Sequence, residues 1–232
     1  MSAAKSPIEI TANGQKLWVV EDGPVDPSPP PAESPLRVLH ILKEPKDYRP
    51  DGLAGAAMEA IDPATHTIKP NRGYKVWRVI ALRTWCVENA LSTAPNYGAI
   101  AGSLRRSVVW NLNYTIPPAT KNRSKTNFTE LCQLAVPLWN NFYQREQQLA
   151  VLNPDLVVCP AKHCHWFIGR KLLKVTGWNG NDDFFVWRGI PFVRPHHPAA
   201  IGNDAAQLRH FADACANATP WIYRRWGGHC PP

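Results

Sequence analysis

The chain is 232 residues long and carries a formal charge of +8, with a pI near 9.3; that length supports one sizeable core, and the charge suits an anionic partner such as nucleic acid. No apolar stretch approaches the roughly 20 residues of a membrane span, the amino end carries no apolar signal segment, and the six cysteines follow no regular framework. These features exclude a helical membrane protein and a disulfide-stapled secreted scaffold, and they set the expectation of a reduced, cytoplasmic chain.

Residues 1–35 read as an extension: Asp26–Pro35 (DPSPPPAESP) has the composition of a linker or extended arm, and Lys16–Val20 (KLWVV) adds an edge strand. The main domain is expected over residues 36–232. It opens with Arg37–Leu42 (RVLHIL), a strand that runs into the loop chemistry of KEPKDYRPDG, where Glu44 stands directly before Pro45. From Tyr74 to Leu91 apolar residues recur at Val76, Val79, Ile80, Leu82, Cys86, Val87 and Ala90, a helical spacing. Ser107–Trp110 is β-branched and aromatic, the composition of a strand buried on both faces, and Asn111 and Asn113 follow at its carboxyl end. Pro117 and Pro118 then force an extended exit. Arg105, Arg106, Lys121, Arg123 and Lys125 put positive charge on both sides of this polar cluster, as a site reading a base beside a phosphate chain needs.

The second half repeats the alternation. Asn127 and Glu130 have the spacing of a capping box, and Leu131, Leu134, Leu138, Phe142 and Leu149 mark one face of a long helix, kinked at Pro137 and ended by Asn153-Pro154. Leu156–Cys159 reads as a third buried strand, His163–Val175 as a helix, and Phe184–Trp187 as a short strand. Pro191–Ala200 holds a final core strand, with His196 and His197 in the loop behind it. Asn203 or Asp204 caps a last helix that turns Leu208, Phe211, Ala212 and Cys215 inward.

Strands that alternate with helices imply a parallel sheet covered on both sides. The expected fold is therefore α/β, three layers α/β/α deep, around a central, mainly parallel four-stranded sheet. In such a sheet the loops that follow the strands gather along one edge, where ligands bind. Glu44, Asn111 and His197 all fall in those loops, and a carboxylate there can serve as a positioned general base.

LKEP (Leu42–Pro45), WN (Trp110-Asn111) and HPA (His197–Ala199) stand in order at the ends of core strands, and between them NLNYTIPPATKNR, TELCQLAVPLWNNF and LNPDLVVC follow one another. This succession resembles the uracil-DNA glycosylase superfamily, and within it the thermostable, iron–sulfur type, over about Leu36–Phe211. The resemblance implies a monofunctional DNA glycosylase that takes uracil or a modified pyrimidine out of double- or single-stranded DNA and hydrolyses its N-glycosidic bond. By that match Glu44 positions or activates water against C1′, Asn111 reads the pyrimidine edge, and His197 donates a hydrogen bond to the departing base. Tyr48 is the candidate for stacking on the flipped base, and Ile201 the candidate wedge into the duplex. The setting implied is a monomer associated with the nucleoid, in base-excision repair.

The departures are specific. Leu42 stands where the family has a loop glycine, CPAKHC lacks the glycine after the third strand, and Ala199 replaces the serine of His-Pro-Ser. Glycine lets a backbone approach a ligand closely, so its loss implies a remodelled pocket, a different base, or a module that binds DNA or a modified base without excision. The cluster ligands of the family are missing too: Cys132 matches one, but Thr115 takes the place of its partner and no Cys-x-x-Cys precedes the first strand. The expectation is a colourless protein with no cofactor and no metal. A zinc site through CPAKHCH (Cys159–His165) with Cys215 or His229-Cys230 is the rival, and it lacks a second compact ligand pair. The H-x-E and P-C-x-x-C of a zinc deaminase are absent.

Overall fold

The computed structural model describes residues 8–12, 15–19, 23–24, 36–42, 52–112, 115–116, 139, 144–160, 162–196 and 203–230. Its elements begin with β1 (Ile8–Ala12), β2 (Gln15–Val19), β3 (Gly23–Pro24) and β4 (Val38–Leu42). Three helices, α1 (Gly52–Glu59), α2 (Lys75–Glu88) and α3 (Ile100–Arg106), lead to β5 (Val108–Asn111) and the short β6 (Thr115–Ile116). Then come α4 (Arg145–Leu152), β7 (Leu156–Val158), α5 (Lys162–Phe167), β8 (Phe184–Trp187), β9 (Ile190–Val193), α6 (Asp204–Ala216) and α7 (Thr219–Ile222).

The class is α/β. β5, β4, β7 and β9 lie side by side and parallel, as their continuous apolar runs lead one to expect of strands buried on both faces. The sheet is nevertheless six strands wide, not four, in the order β3-β5-β4-β7-β9-β8. Both additions are antiparallel edges: β8 folds back on β9, and Gly23-Pro24 pairs with the outer side of β5. The KLWVV run departs further from expectation. Its Lys16–Val19 belongs to β2, which joins β1 and β6 in a separate three-stranded sheet rather than extending the main one.

Helices cover both faces. α1, α2, α3, α6 and α7 pack one core around Ile80, Leu82, Leu104, Phe211 and Ile222. α4 and α5 with Trp139 pack the other, around Leu149, Phe167, Trp178, Phe185 and Phe192. The step from β4 to β5 goes to one side beneath the first set, and the steps from β5 to β7 to β9 go to the other side beneath the second, as right-handed crossovers require. Direction therefore reverses between β4 and β7. At such a switch point the loops part and leave a crevice at the carboxyl ends of the strands.

Three local features bear on the site. α2 has nine buried residues in succession, Val79–Val87, because α3, α6 and the sheet enclose it. The long helix expected to reach Leu149 is not continuous: α4 starts at Arg145, behind Gln144, whose φ of 47° no α-helix passes through. The break lets Arg145 turn in, its guanidinium 4.2 Å from the Trp110 ring. Asn127, Glu130, Leu131, Leu134, Pro137, Leu138 and Phe142 lie outside the described residues. α6 is capped by Asn203, whose Oδ1 accepts the Ala206 N–H at 2.8 Å. Asp204 is left to pair with Arg78 at 3.1 Å. Among the described residues no helix is long and apolar enough to cross a membrane.

Candidate functional site

Because β4, β5, β7 and β9 are parallel, their carboxyl ends share one edge of the sheet. Register sets Asn111 beside Leu42, and His40 level with Val109 on one side and Val158 on the other. Asn111 is the last residue of β5 itself and not part of a loop, two residues beyond Val109 and so on the same α2-facing side. It is 0% exposed. A hydrogen bond made in that low-dielectric setting discriminates more sharply than one made in water. Glu44 follows β4 by two residues and His197 follows β9 by four. Both lie outside the described residues, as do Tyr48, Lys121, Arg123, Lys125, Cys132, Ala199 and Ile201.

Arg105 and Arg106 stand elsewhere. They end α3 and precede β5, so about 13 Å of extended strand separates them from Asn111, and they belong to the opposite edge of the sheet. Arg106 is moreover held by Glu88 through two hydrogen bonds of 2.7 Å, which raise its pKa further. The structure therefore does not bring this pair together with Asn111. The pairing with Glu88, 18 residues away, has no local signal in the sequence.

On the α2 side of the sheet, a run of buried polar groups that the sequence reading passed over leads from the middle of β4 toward the opposite edge, at the amino end of β5. His40 Nε2 is 3.0 Å from Thr84 Oγ1, and Thr84 Oγ1 is 2.8 Å from Ser107 Oγ. Ser107 Oγ donates to the Ser103 carbonyl at 2.9 Å. With its only proton placed there, Ser107 accepts from Thr84, and Thr84 in turn accepts from His40. His40 is thereby the Nε2–H tautomer, with a bare lone pair on Nδ1 that meets no donor among the described residues. Burial, and then the charge of Arg83, push its pKa down to about 3, so the ring is neutral.

Arg83 is the second element of that layer. It is 1% exposed, and its Nη2 donates to the His196 carbonyl at 2.5 Å and to Gln207 Oε1 at 3.0 Å, while the guanidinium lies 5.7 Å from the Phe211 ring. Burial lowers its pKa to about 9. The His196 N–H donates to His210 Nδ1 at 3.4 Å, with the two rings 3.5 Å apart, and burial followed by the His196 charge lowers the His210 pKa. The chain leaving β9 is thus gripped at His196, three residues beyond the strand. The sequence offered only the polar pair Arg83-Thr84 within Val79–Val87, in a helix that also carries Lys75, Arg78 and Glu88.

The groups considered for zinc fall on two sides of the sheet. Cys159 and Cys164 belong to the aromatic core, whereas Cys215 and Cys230 pack with the other. His165 is a core ring, 5.2 Å from Trp178 and 4.8 Å from Phe185, and burial pushes its pKa down to about 4. A groove of about 600 Å³ beside His210 is lined by Asp182, Asp183 and Asp213, a surface that repels phosphate. No protein-family model matches the chain, and no curated protein shows significant similarity to it.

Proposed function

We propose that the protein is a DNA glycosylase that hydrolyses the N-glycosidic bond of uracil or of a modified pyrimidine turned out of the helix. The observation that carries this reading is Asn111: a fully buried amide at the carboxyl end of β5, in register with the end of β4, on the sheet edge that holds the switch point. An amide offers both donor and acceptor to a pyrimidine edge. Glu44, two residues past Leu42, orients a water molecule and takes its proton as the water oxygen bonds to C1′. The bond from C1′ to the base breaks with its electron pair on the base, and His197 donates a hydrogen bond to the charge that develops there. Tyr48 stacks on the extruded base and Ile201 fills the space it leaves. Lys121, Arg123 and Lys125 follow the phosphates; Arg106, held by Glu88 on the opposite edge, has no part in this. The protein works as a monomer, without a cofactor, in repair at the nucleoid.

The test is a screen of purified protein against single strands and duplexes carrying uracil, hypoxanthine or 5-substituted pyrimidines, scored by cleavage of the abasic product. On the best substrate, Glu44→Gln and His197→Ala should slow the chemical step by about 10²–10³-fold with little change in DNA affinity. Asn111→Ala should chiefly blur the choice of base, by about 1–3 kcal/mol. Wild-type rates in all three variants would place the site elsewhere. Binding without any abasic product would make the protein a DNA-binding module.

A further inference from the structure

A buried arginine ordinarily has a carboxylate beside it, because an unpaired charge is costly to remove from water. Arg83, 1% exposed at the centre of α2, has none among the described residues, and its Nε and Nη1 meet no acceptor there. Two neutral oxygens, the His196 carbonyl and Gln207 Oε1, hold the guanidinium without cancelling its charge. The field accordingly reaches His40 on β4 and His210 on α6 and disfavours a proton on either.

The oxygen that Arg83 grips has a particular place in the chain. The His196 carbonyl belongs to the planar peptide unit completed by the nitrogen of His197. Five residues earlier on the same helix, Arg78 pairs with Asp204, next to the Asn203 cap of α6. α2 therefore holds both flanks of the chain between β9 and α6, and Arg83 holds the flank nearer the sheet.

Resting on the glycosylase reading, we propose that Arg83 is a positioning residue for base departure: it fixes the peptide that leads into His197 and sets a positive charge, offset by no carboxylate among the described residues, beneath the sheet edge at which the leaving base becomes anionic. Both effects are organised before the reaction begins and need no rearrangement when charge develops. In the interior such a charge acts over a longer range than it would in water.

Single-turnover excision of uracil and of 5-fluorouracil separates the two effects, since the fluorinated base is the better leaving group and depends less on outside stabilisation. Arg83→Met should slow uracil excision by about 10²-fold and 5-fluorouracil excision by less, at unchanged DNA affinity. Arg83→Lys, which returns the charge without the fork, should treat the two bases alike and recover only part of the rate. Gln207→Met, which removes one of the two anchors and leaves the charge, should slow both bases by one small factor. If Arg83→Met does not fold, as thermal unfolding will show, the lysine and Gln207 variants carry the test. A wild-type rate in Arg83→Met, wild-type rates in both Arg83→Lys and Gln207→Met, or losses that merely track DNA affinity overturn the inference while the glycosylase reading stands. An absence of abasic product from the wild-type protein overturns that reading and this inference with it.

Discussion

Where α4 and α5 cover the sheet, the core is a stack of rings: Trp110, Trp139, Phe167, Trp178, Phe185 and Phe192, with His165 packed among them. Where α2, α3 and α6 cover it, His40, Arg83, Thr84, Ser103, Ser107, Asn111 and Gln207 lie at 1% exposure or less. Apolar groups of similar volume would hold the second face together at least as well, because buried polar groups at best break even against packing. Their concentration on one side, with Asn111 and Arg83 toward the carboxyl edge, is what a reactive centre needs and a plain core does not. The aromatic face anchors the fold; the polar face is where the proposed chemistry is to be sought.

The division has a consequence in acid, since among the described residues one buried histidine stands on each face. Burial pushes His40 down to about 3 and His165 down to about 4, whereas in the unfolded chain both titrate near the ordinary 6.5. Between that value and the folded values the unfolded chain binds protons that the folded chain refuses, so stability is lost as pH falls through the window. From pH 7 to pH 5 the expected loss is about 2 kcal/mol for each histidine, roughly 4 kcal/mol in all, read from urea midpoints. His165→Phe stays a ring among rings and gives up the 3.3 Å contact of Nε2 with the Phe192 carbonyl, so it should remove half of that loss at a smaller cost at pH 7 than His40→Phe. His40→Phe should remove the other half but destabilise at pH 7, because Thr84 loses its donor. A wild-type midpoint that stays flat down to pH 5, or two variants that behave alike at pH 7, would contradict the division.

Glycines sharpen the same contrast with a smaller effect. In the turn that continues α5, an added Cβ at Gly169 would lie 2.3 Å from Trp178 Cζ3 and 3.0 Å from Phe185 Cε1, and Phe185 is itself stacked on Phe192. With no room for those rings to yield, Gly169→Ala should cost about 2–3 kcal/mol. At Gly102 in α3 the methyl would meet only the tip of Arg106, at 3.2 Å. Gly102→Ala should be neutral or stabilise by up to about 0.5 kcal/mol, through the lower entropy of the unfolded chain. Thermal unfolding of the two proteins side by side decides between them.

How much of this could be read beforehand depended on whether a signal was local. β4, β5, β7 and β9 were legible because strands buried on both faces appear as unbroken apolar runs, and the ends at Asn153 and Asn203 because capping is a short-range matter. The β1-β2-β6 sheet was not, since β2 meets β6 across about a hundred residues. Neither was the break at Gln144, where apolar spacing continues through a left-handed residue. In the site, Asn111 announced itself by ending a buried strand, while Arg83 and Thr84 were hidden by the helix that carries them. A helix buried on nearly every side has no polar face against which an inward-pointing arginine would stand out.

The smallest effect tests whether the polar face is a connected run or a set of separate contacts. Thr84→Val preserves the side-chain shape and deletes the hydroxyl between His40 and Ser107. His40 Nε2–H then lacks its acceptor and Ser107 Oγ its donor, while the bond from Ser107 to the Ser103 carbonyl is untouched. A net cost of about 1–2 kcal/mol is expected. If the groups act together, Thr84→Val should cost less once His40 is already phenylalanine, with a coupling of about 1 kcal/mol in the double-mutant cycle. The direction of donation can be read independently, because histidine ring nitrogen resonances distinguish the two neutral tautomers: the wild-type protein should carry its proton on Nε2 of His40. A proton on Nδ1, together with strictly additive mutations, would reverse the direction of the run and leave Thr84 as the donor to His40.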